Sequence, residues 1–177
     1  CAPFTVPSGN YDFCGFTVLA TDGDNTNDTL CVPRKGIPVD TLNYCDNFDG
    51  ASANDWTSVT INPGSVWELG TPSFGTTTGA HSAPNAWDIN LTTQYQPNSY
   101  AELLSPFFDM STAVNAQLTF WQNRNCEGNW DGTRIDYSLN GSPWTNLGYF
   151  GDPLGTNWYT INSIISSGQP AWDGNSN

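Results

Sequence analysis

Few side chains in this sequence are equipped for chemistry, and most of those are acidic or aromatic. The lone histidine, His81, is followed directly by Ser82. A nucleophile and its base must face each other across hydrogen-bond distance, and adjacency in sequence does not orient them that way. A packed or hydrogen-bonded structural role therefore suits His81 better than a catalytic triad. No G-x-S-x-G, H-E-x-x-H or phosphate-cradling glycine motif occurs. Glu127 with Asp131, or Asp46 with Asp49, could serve as the carboxylate pair of a glycosidase. Neither pair consists of alternate residues on one strand, the spacing that aims two carboxylates at one sugar ring, so no enzymatic activity is expected.

Binding chemistry is better supplied. Trp121, Trp130 and Trp144 stand among the amides of Gln122, Asn123, Asn125 and Asn129, and exposed indoles stack on ligand faces while amides and carboxylates read hydroxyls. Trp121 and Trp144 lie in apolar rhythm and read as core residues. Trp130 lies in a polar loop with Glu127 and Asn129 and is the surface candidate. Asp22, Asp24 and Asp28 gather carboxylates as calcium loops do, but position six is not glycine and position twelve is Pro33. Asx-type turns account for the same residues without an ion.

The elements that must position these groups centre on LTFWQNRNCEGNWDGTRIDYSLNGSPWTNLG, residues 118–148. Two runs, 118–122 and 133–139, read as strands. In the second, Ile135, Tyr137 and Leu139 alternate with Arg134, Asp136 and Ser138, which predicts one buried and one wet face. Asn140-Gly141 then supplies the positive φ angles of a tight hairpin turn.

Aromatic residues are plentiful, with 8 Trp, 9 Phe and 7 Tyr in 177 residues, enough for a substantial core. The 17 Gly and 12 Pro suit short strands joined by tight turns. No long stretch repeats apolar residues at helical spacing, so helix is expected to be scarce. The formal net charge is −13, from 4 basic and 17 acidic residues. A phosphate backbone requires clustered Lys and Arg, so nucleic acid is excluded as a partner and anionic membrane surfaces are disfavoured. No apolar run reaches the length of a membrane span, so no membrane insertion is expected. The opening CAPFTVPSG reads as the interior of a domain, which predicts a piece of a longer exported protein. Cys1, Cys14, Cys31, Cys45 and Cys126 form an odd set with no C-x-x-C pair. Disulfides and plain buried thiols both remain open.

Along the chain, residues 11–19 and 29–32 read as strands flanking the acidic loop, within a first unit at 1–36. The stiff PRKGIPVD at 33–40 places a linker at 37–43. The main domain follows over 44–177. Phe48 with Trp56 anchors its first strand, and further strands are expected at 66–69, 86–89, 101–104 and 158–161. The closing QPAWDGNSN reads as polar and turn-like.

At this point two resemblances become visible. WDGTRIDYSLNGSPWTNLG, WELGTP, AHSAPNAW, YAELLSPFFDMS and NWY occur in the order and spacing of MAM-like, concanavalin-like jelly rolls, over about 44–177. GNYDFCGFTVLATDGDNTNDTLCV resembles the last hairpin of an Ig-like adhesin repeat. The first resemblance implies an all-β antiparallel jelly-roll sandwich, ending short of the family's last strands, and the second a β-hairpin from an Ig-like unit before it. Such modules are widespread in secreted, multidomain, cell-surface proteins of the Bacteroidetes type, carried by type IX secretion. The implied function is non-catalytic: adhesion, or binding of a surface glycan or protein, beside neighbouring domains of the same polypeptide. A spacer repeat without a ligand, or an accessory domain of a secreted peptidase or glycosidase, is the alternative. Related jelly rolls staple loop ends with calcium, which points to Asp49 and Asp131 with backbone carbonyls as the hypothetical ligands. Proteins of this class also carry O-glycans on Asp-Thr followed by an aliphatic residue, a pattern met at Thr29 and Thr41.

Overall fold

The structure, a computed structural model, describes residues 9–18, 21, 23, 24 and 26–176. The expectations attached to the opening segment, Cys1, Leu19 and Asp22 lie outside the described residues. The described chain is nearly all β, as expected. In order come β1 (Gly9–Phe16), β2 (Thr29–Gly36), β3 (Val39–Asp40), a short 3-10 helix (Ala51–Asp55) and β4 (Thr57–Asn62). Then follow β5 (Trp67–Gly70), β6 (Ala86–Ile89), β7 (Tyr100–Leu104), β8 (Phe107–Phe108) and β9 (Gly132–Thr133). The last are β10 (Asp136–Tyr137), β11 (Thr145–Asn146) and β12 (Trp172–Asp173). Among the described residues these strands form six two-stranded sheets: β1-β2, β3-β8, β4-β7, β5-β6, β9-β12 and β10-β11. Among the described residues no helix is long and apolar enough to cross a membrane.

The chain divides into two compact units. Unit 1 comprises Cys1–Leu69, Trp87–Asn90 and Tyr95–Gln117, and unit 2 comprises Gly70–Ala86, Leu91–Gln94 and Leu118–Asn177.

In unit 1, β1 and β2 pair antiparallel over their full lengths, with Cys14 opposite Cys31. The two sulfurs are bonded across this register. The disulfide closes the loop carrying the acidic residues, where Asp24 accepts the Thr26 N–H and Asp28 accepts the Thr17 hydroxyl. Asp24 is thus engaged by an Asx-type turn, and Asp28 by a bond across the hairpin. β4 pairs antiparallel with β7, with an irregularity between Thr60 and Asn62. β3 and β8 run parallel, Val39 opposite Phe107, where only antiparallel pairing was expected. The Lys35 ammonium reaches the Asn54 and Trp56 carbonyls at the end of the 3-10 helix, satisfying acceptors that the helix leaves open. Phe48 and Trp56 meet edge to face at 5.5 Å, but neither lies in a strand as expected: the chain bends at Phe48 with φ +65°, and Trp56 caps the 3-10 helix before β4.

In unit 2 the core is an aromatic cluster. Trp172 is 1% exposed and Tyr159 3%. Their rings lie 4.5 Å apart, Trp158 stands 4.9 Å from Trp172, and Phe120 meets Trp172 edge to face at 5.5 Å. The Trp172 indole N–H donates to the Asn157 carbonyl at 3.0 Å, so burial leaves no unpaired donor on that ring. Backbone approaches this cluster closely. A Cβ on Gly148, whose φ is +73°, would fall 2.7 Å from Trp158 Nε1, and one on Gly132 would fall 2.8 Å from the Trp172 carbonyl oxygen.

Several sequence expectations change here. Residues 118–122 form no strand; they run without ladder partners, and the nearest pairing is the Asn125–Asn175 bridge. The run 133–139 is not one strand but two fragments with different partners: Thr133 pairs with Trp172, and Tyr137 with Thr145. Between them the chain breaks off to hydrogen-bond Tyr159 through Ile135. The alternation also fails, because Arg134 and Asp136 form a half-buried ion pair at 3.0 Å while Tyr137 and Leu139 are exposed. Residues 158–161 contribute only the Ile161–Ala171 bridge. The closing segment, read as polar and turn-like, supplies the most deeply buried tryptophan.

Candidate functional site

The region expected to bind is the 127–131 loop of unit 2, and it is a tight turn. The Trp130 and Asp131 N–H groups both donate to the Glu127 carbonyl, at 3.2 and 2.9 Å. Asn129 takes φ +68°, the left-handed conformation that asparagine tolerates. The turn is held from outside by two segments. The Asp173 carboxylate accepts the Asn129 N–H at 2.9 Å, and the Ile165 N–H donates to the Asn129 carbonyl at 2.8 Å. At its entrance the Cys126 N–H donates to the Gly174 carbonyl at 3.1 Å. The Cys126 thiol is half-buried beside the Asp131 and Gly174 carbonyls, and burial pushes its pKa up.

Asp173 is the hub of this clamp, and sequence reading missed it. Its carboxylate also accepts the Thr160 hydroxyl, and its own N–H donates to Thr160 Oγ1 at 2.8 Å. The Arg124 Nε donates to its carbonyl at 2.8 Å. The Thr160 hydroxyl, first, and the Asn129 N–H hold the Asp173 carboxyl below the ordinary carboxylate range. Tyr159 plays a similar part beneath β10: its hydroxyl accepts the Ile135 N–H and donates toward the Leu147 carbonyl at 2.9 Å. Burial raises its pKa.

On this scaffold Trp130 is 51% exposed, as its polar loop predicted. Glu127 and Asn129 on the same turn are also exposed. Trp121 and Trp144, expected in the core, are 77% and 61% exposed. The reason is competition: Trp158 and Trp172 occupy the interior that the aromatic count promised. His81 and Ser82 are exposed, and the His81 ring lies flat on the Trp121 indole, centroids 3.8 Å apart and planes 10° apart.

The expected calcium ligands fall in different units, Asp49 in the first and Asp131 in the second. Asp49 is exposed and tied to Asn47 by side-chain and backbone hydrogen bonds. Nearby, Asp46 accepts the Tyr44 hydroxyl at 2.7 Å and the Phe48 N–H at 2.8 Å. Burial, then the Asp46 hydrogen bond, pushes the Tyr44 pKa up. Among the described residues no three His, Cys, Asp or Glu side chains form a group able to hold a metal ion. In unit 1 burial raises the Asp88 carboxyl, with the Glu68 charge adding to it. Thr29 and Thr41 are both exposed, so either hydroxyl can carry a bulky substituent in solvent.

The arrangement defines an all-β chain whose second unit displays aromatic side chains on a hydrogen-bonded frame. No family model, curated protein or solved structure matches the chain.

Proposed function

We propose that the chain is a non-catalytic binding module of an exported, cell-surface protein. Its main domain is of jelly-roll type, preceded by the hairpin of an Ig-like unit. The observation that carries the reading is Trp130: a half-exposed indole on a turn clamped by Asp173 and Ile165. An exposed tryptophan on a mobile loop loses entropy on binding, whereas one on a preorganised turn loses little. Glu127 and Asn129 on the same turn add an acceptor and an amide beside the ring, suiting a surface glycan or a protein ligand. The Cys14–Cys31 disulfide supports export, because such bonds persist in oxidising compartments. Thr29 and Thr41 carry the O-glycans in native material. Intact mass of natively expressed protein, set against Thr29→Ala and Thr41→Ala variants, checks this; bare polypeptide mass refutes it.

The binding test is a glycan array together with capture of candidate surface proteins, using the whole chain and its Trp130→Ala variant. The reading expects a ligand whose affinity falls about tenfold in the variant, the loss of one aromatic contact. A chain that binds nothing in either arm is a spacer, and the proposal fails.

A further inference from the structure

We infer that the His81–Trp121 pair forms a saccharide platform of its own, selective for neutral sugars; this rests on the binding-module reading. Trp121 is 77% exposed although the His81 ring already lies flat on it at 3.8 Å. One indole face is therefore covered by the imidazole, and the stack favours this orientation of the ring with its opposite face toward solvent. A side chain stacked in this way loses little rotamer freedom when a ligand lands on it.

The backbone that follows the ring is braced, although residues 118–122 themselves join no ladder. Just beyond Trp121, the Asn123 amide donates to the Thr76 carbonyl at 3.3 Å and its oxygen accepts the Ser176 hydroxyl at 2.9 Å. The Arg124 N–H donates to Ser176 Oγ at 2.9 Å, and the Ser176 N–H returns to the Arg124 carbonyl at 3.1 Å. The Thr77 N–H closes a turn on the Phe74 carbonyl at 3.1 Å, so the loop leading to His81 has its own brace. Hydrogen-bonding groups surround the ring in sequence: Gln122, Asn123 and Asn125 follow it, with Arg124 between them turned to the Asp173 carbonyl, and Thr76 to Thr78 belong to the loop that the Asn123 amide binds.

These features specify the ligand. A pyranose presents an apolar C–H face that matches one open indole face, with hydroxyls at its rim for amide and threonine groups. Unit 2 carries five carboxylates (Glu127, Asp131, Asp136, Asp152 and Asp173) against Arg124 and Arg134. Both guanidinium groups are engaged within the chain, Arg124 on the Asp173 carbonyl and Arg134 on Asp136, so uronic and sulfated sugars are disfavoured and the preferred glycan is uncharged. A second protein is the less suitable occupant, because one isolated ring offers far less area than a stable protein interface buries.

The experiment is isothermal titration of the whole chain with neutral oligosaccharides (cello-, xylo-, manno- and galacto-hexaose) and with polygalacturonate and a sulfated glycan. Trp121→Ala, His81→Phe and Trp130→Ala are run beside it. The expected result is binding to at least one neutral sugar, weakened about tenfold or more by Trp121→Ala. His81→Phe, which keeps a flat ring behind the indole, stays within about threefold of wild type, about 0.6 kcal/mol. The charged polymers bind more weakly than the neutral ones. Trp121 is exposed, so its variant folds; an unchanged thermal midpoint verifies this. Wild-type affinity in Trp121→Ala overturns the inference. If Trp130→Ala abolishes that same binding, the module reading stands without this platform. If no sugar binds, the inference falls, and the module reading then rests on its protein-binding arm alone.

Discussion

Replacing Asp173 by asparagine isolates the clamp that holds the Trp130 turn. The change keeps the side-chain shape and one acceptor oxygen for the Thr160 hydroxyl. It removes the charge and places an amide opposite the Asn129 N–H, so one hydrogen bond is lost. Bonds to charged acceptors reach about 1.5–3 kcal/mol, but this carboxylate is largely solvated and screened, so a loss of about 1 kcal/mol is the reasonable magnitude. The pH dependence supplies the signature. The folded carboxyl titrates below the ordinary carboxylate value of 3.8. Between the two values the unfolded chain binds more protons than the folded one, and stability rises with pH there. The contribution is thus fully present above the unfolded value and disappears as pH falls through the folded one. Urea unfolding followed by tryptophan emission, at pH 7 and at steps down to about pH 2, measures wild type against Asp173→Asn. The gap between them should be about 1 kcal/mol at neutral pH and close at the acid end. A gap that is absent at pH 7, or constant across the series, refutes the assignment of Asp173 as the clamp.

Three further outcomes follow from the structure. Cys14 and Cys31 are separated by 17 residues, so replacing both by serine removes about 3 kcal/mol of chain-entropy stabilisation from the hairpin; faster proteolysis of the 17–28 loop, matched by reductant on the wild type, checks it. Tyr159→Phe leaves the Ile135 N–H and the Leu147 carbonyl without this partner and should cost about 1–2 kcal/mol. Burial raises the Tyr159 pKa, so its contribution is full below the unfolded value near 10, is lost as pH rises through the raised folded value, and is missing from the variant's alkaline limb. Gly148→Ala combines a positive φ with a Cβ 2.7 Å from Trp158 Nε1 and should lower the urea midpoint by more than about 1 kcal/mol's worth, whereas Gly141→Ala at the open hairpin tip meets no atom within 4 Å and costs only its backbone strain.

What the sequence determined by itself was local. Asn140-Gly141 is a turn with φ of +52° and +77°, closed by the Ser142 N–H on the Leu139 carbonyl, because those two residue types alone reach that conformation cheaply. Ala86–Ile89 is a strand as read, Tyr100–Leu104 nearly so, and β1 and β2 flank the acidic loop as their β-prone residues foretold. The predominance of strand also followed from composition, since no segment had helical periodicity. Trp130 stood outside because its neighbours are polar over several residues, a signal that survives folding.

Tertiary structure decided which aromatic residues became core. Trp121 and Trp172 are chemically alike, and the more apolar neighbourhood belongs to Trp121; yet Trp172 is buried and Trp121 is exposed. Burial depends on which rings converge from distant parts of the chain, and Phe120, Trp158 and Tyr159 converge on Trp172. The same holds for Asp173, whose role comes from meeting Asn129 and Thr160 at sequence separations of 44 and 13. Residues 133–139 show the limit from the other side. Their alternation favoured one continuous strand, but a strand needs a partner along its whole length, and two different segments each supplied two residues. Periodicity describes what a segment could pair with, while the ladder it joins is set by where the rest of the chain has already gone.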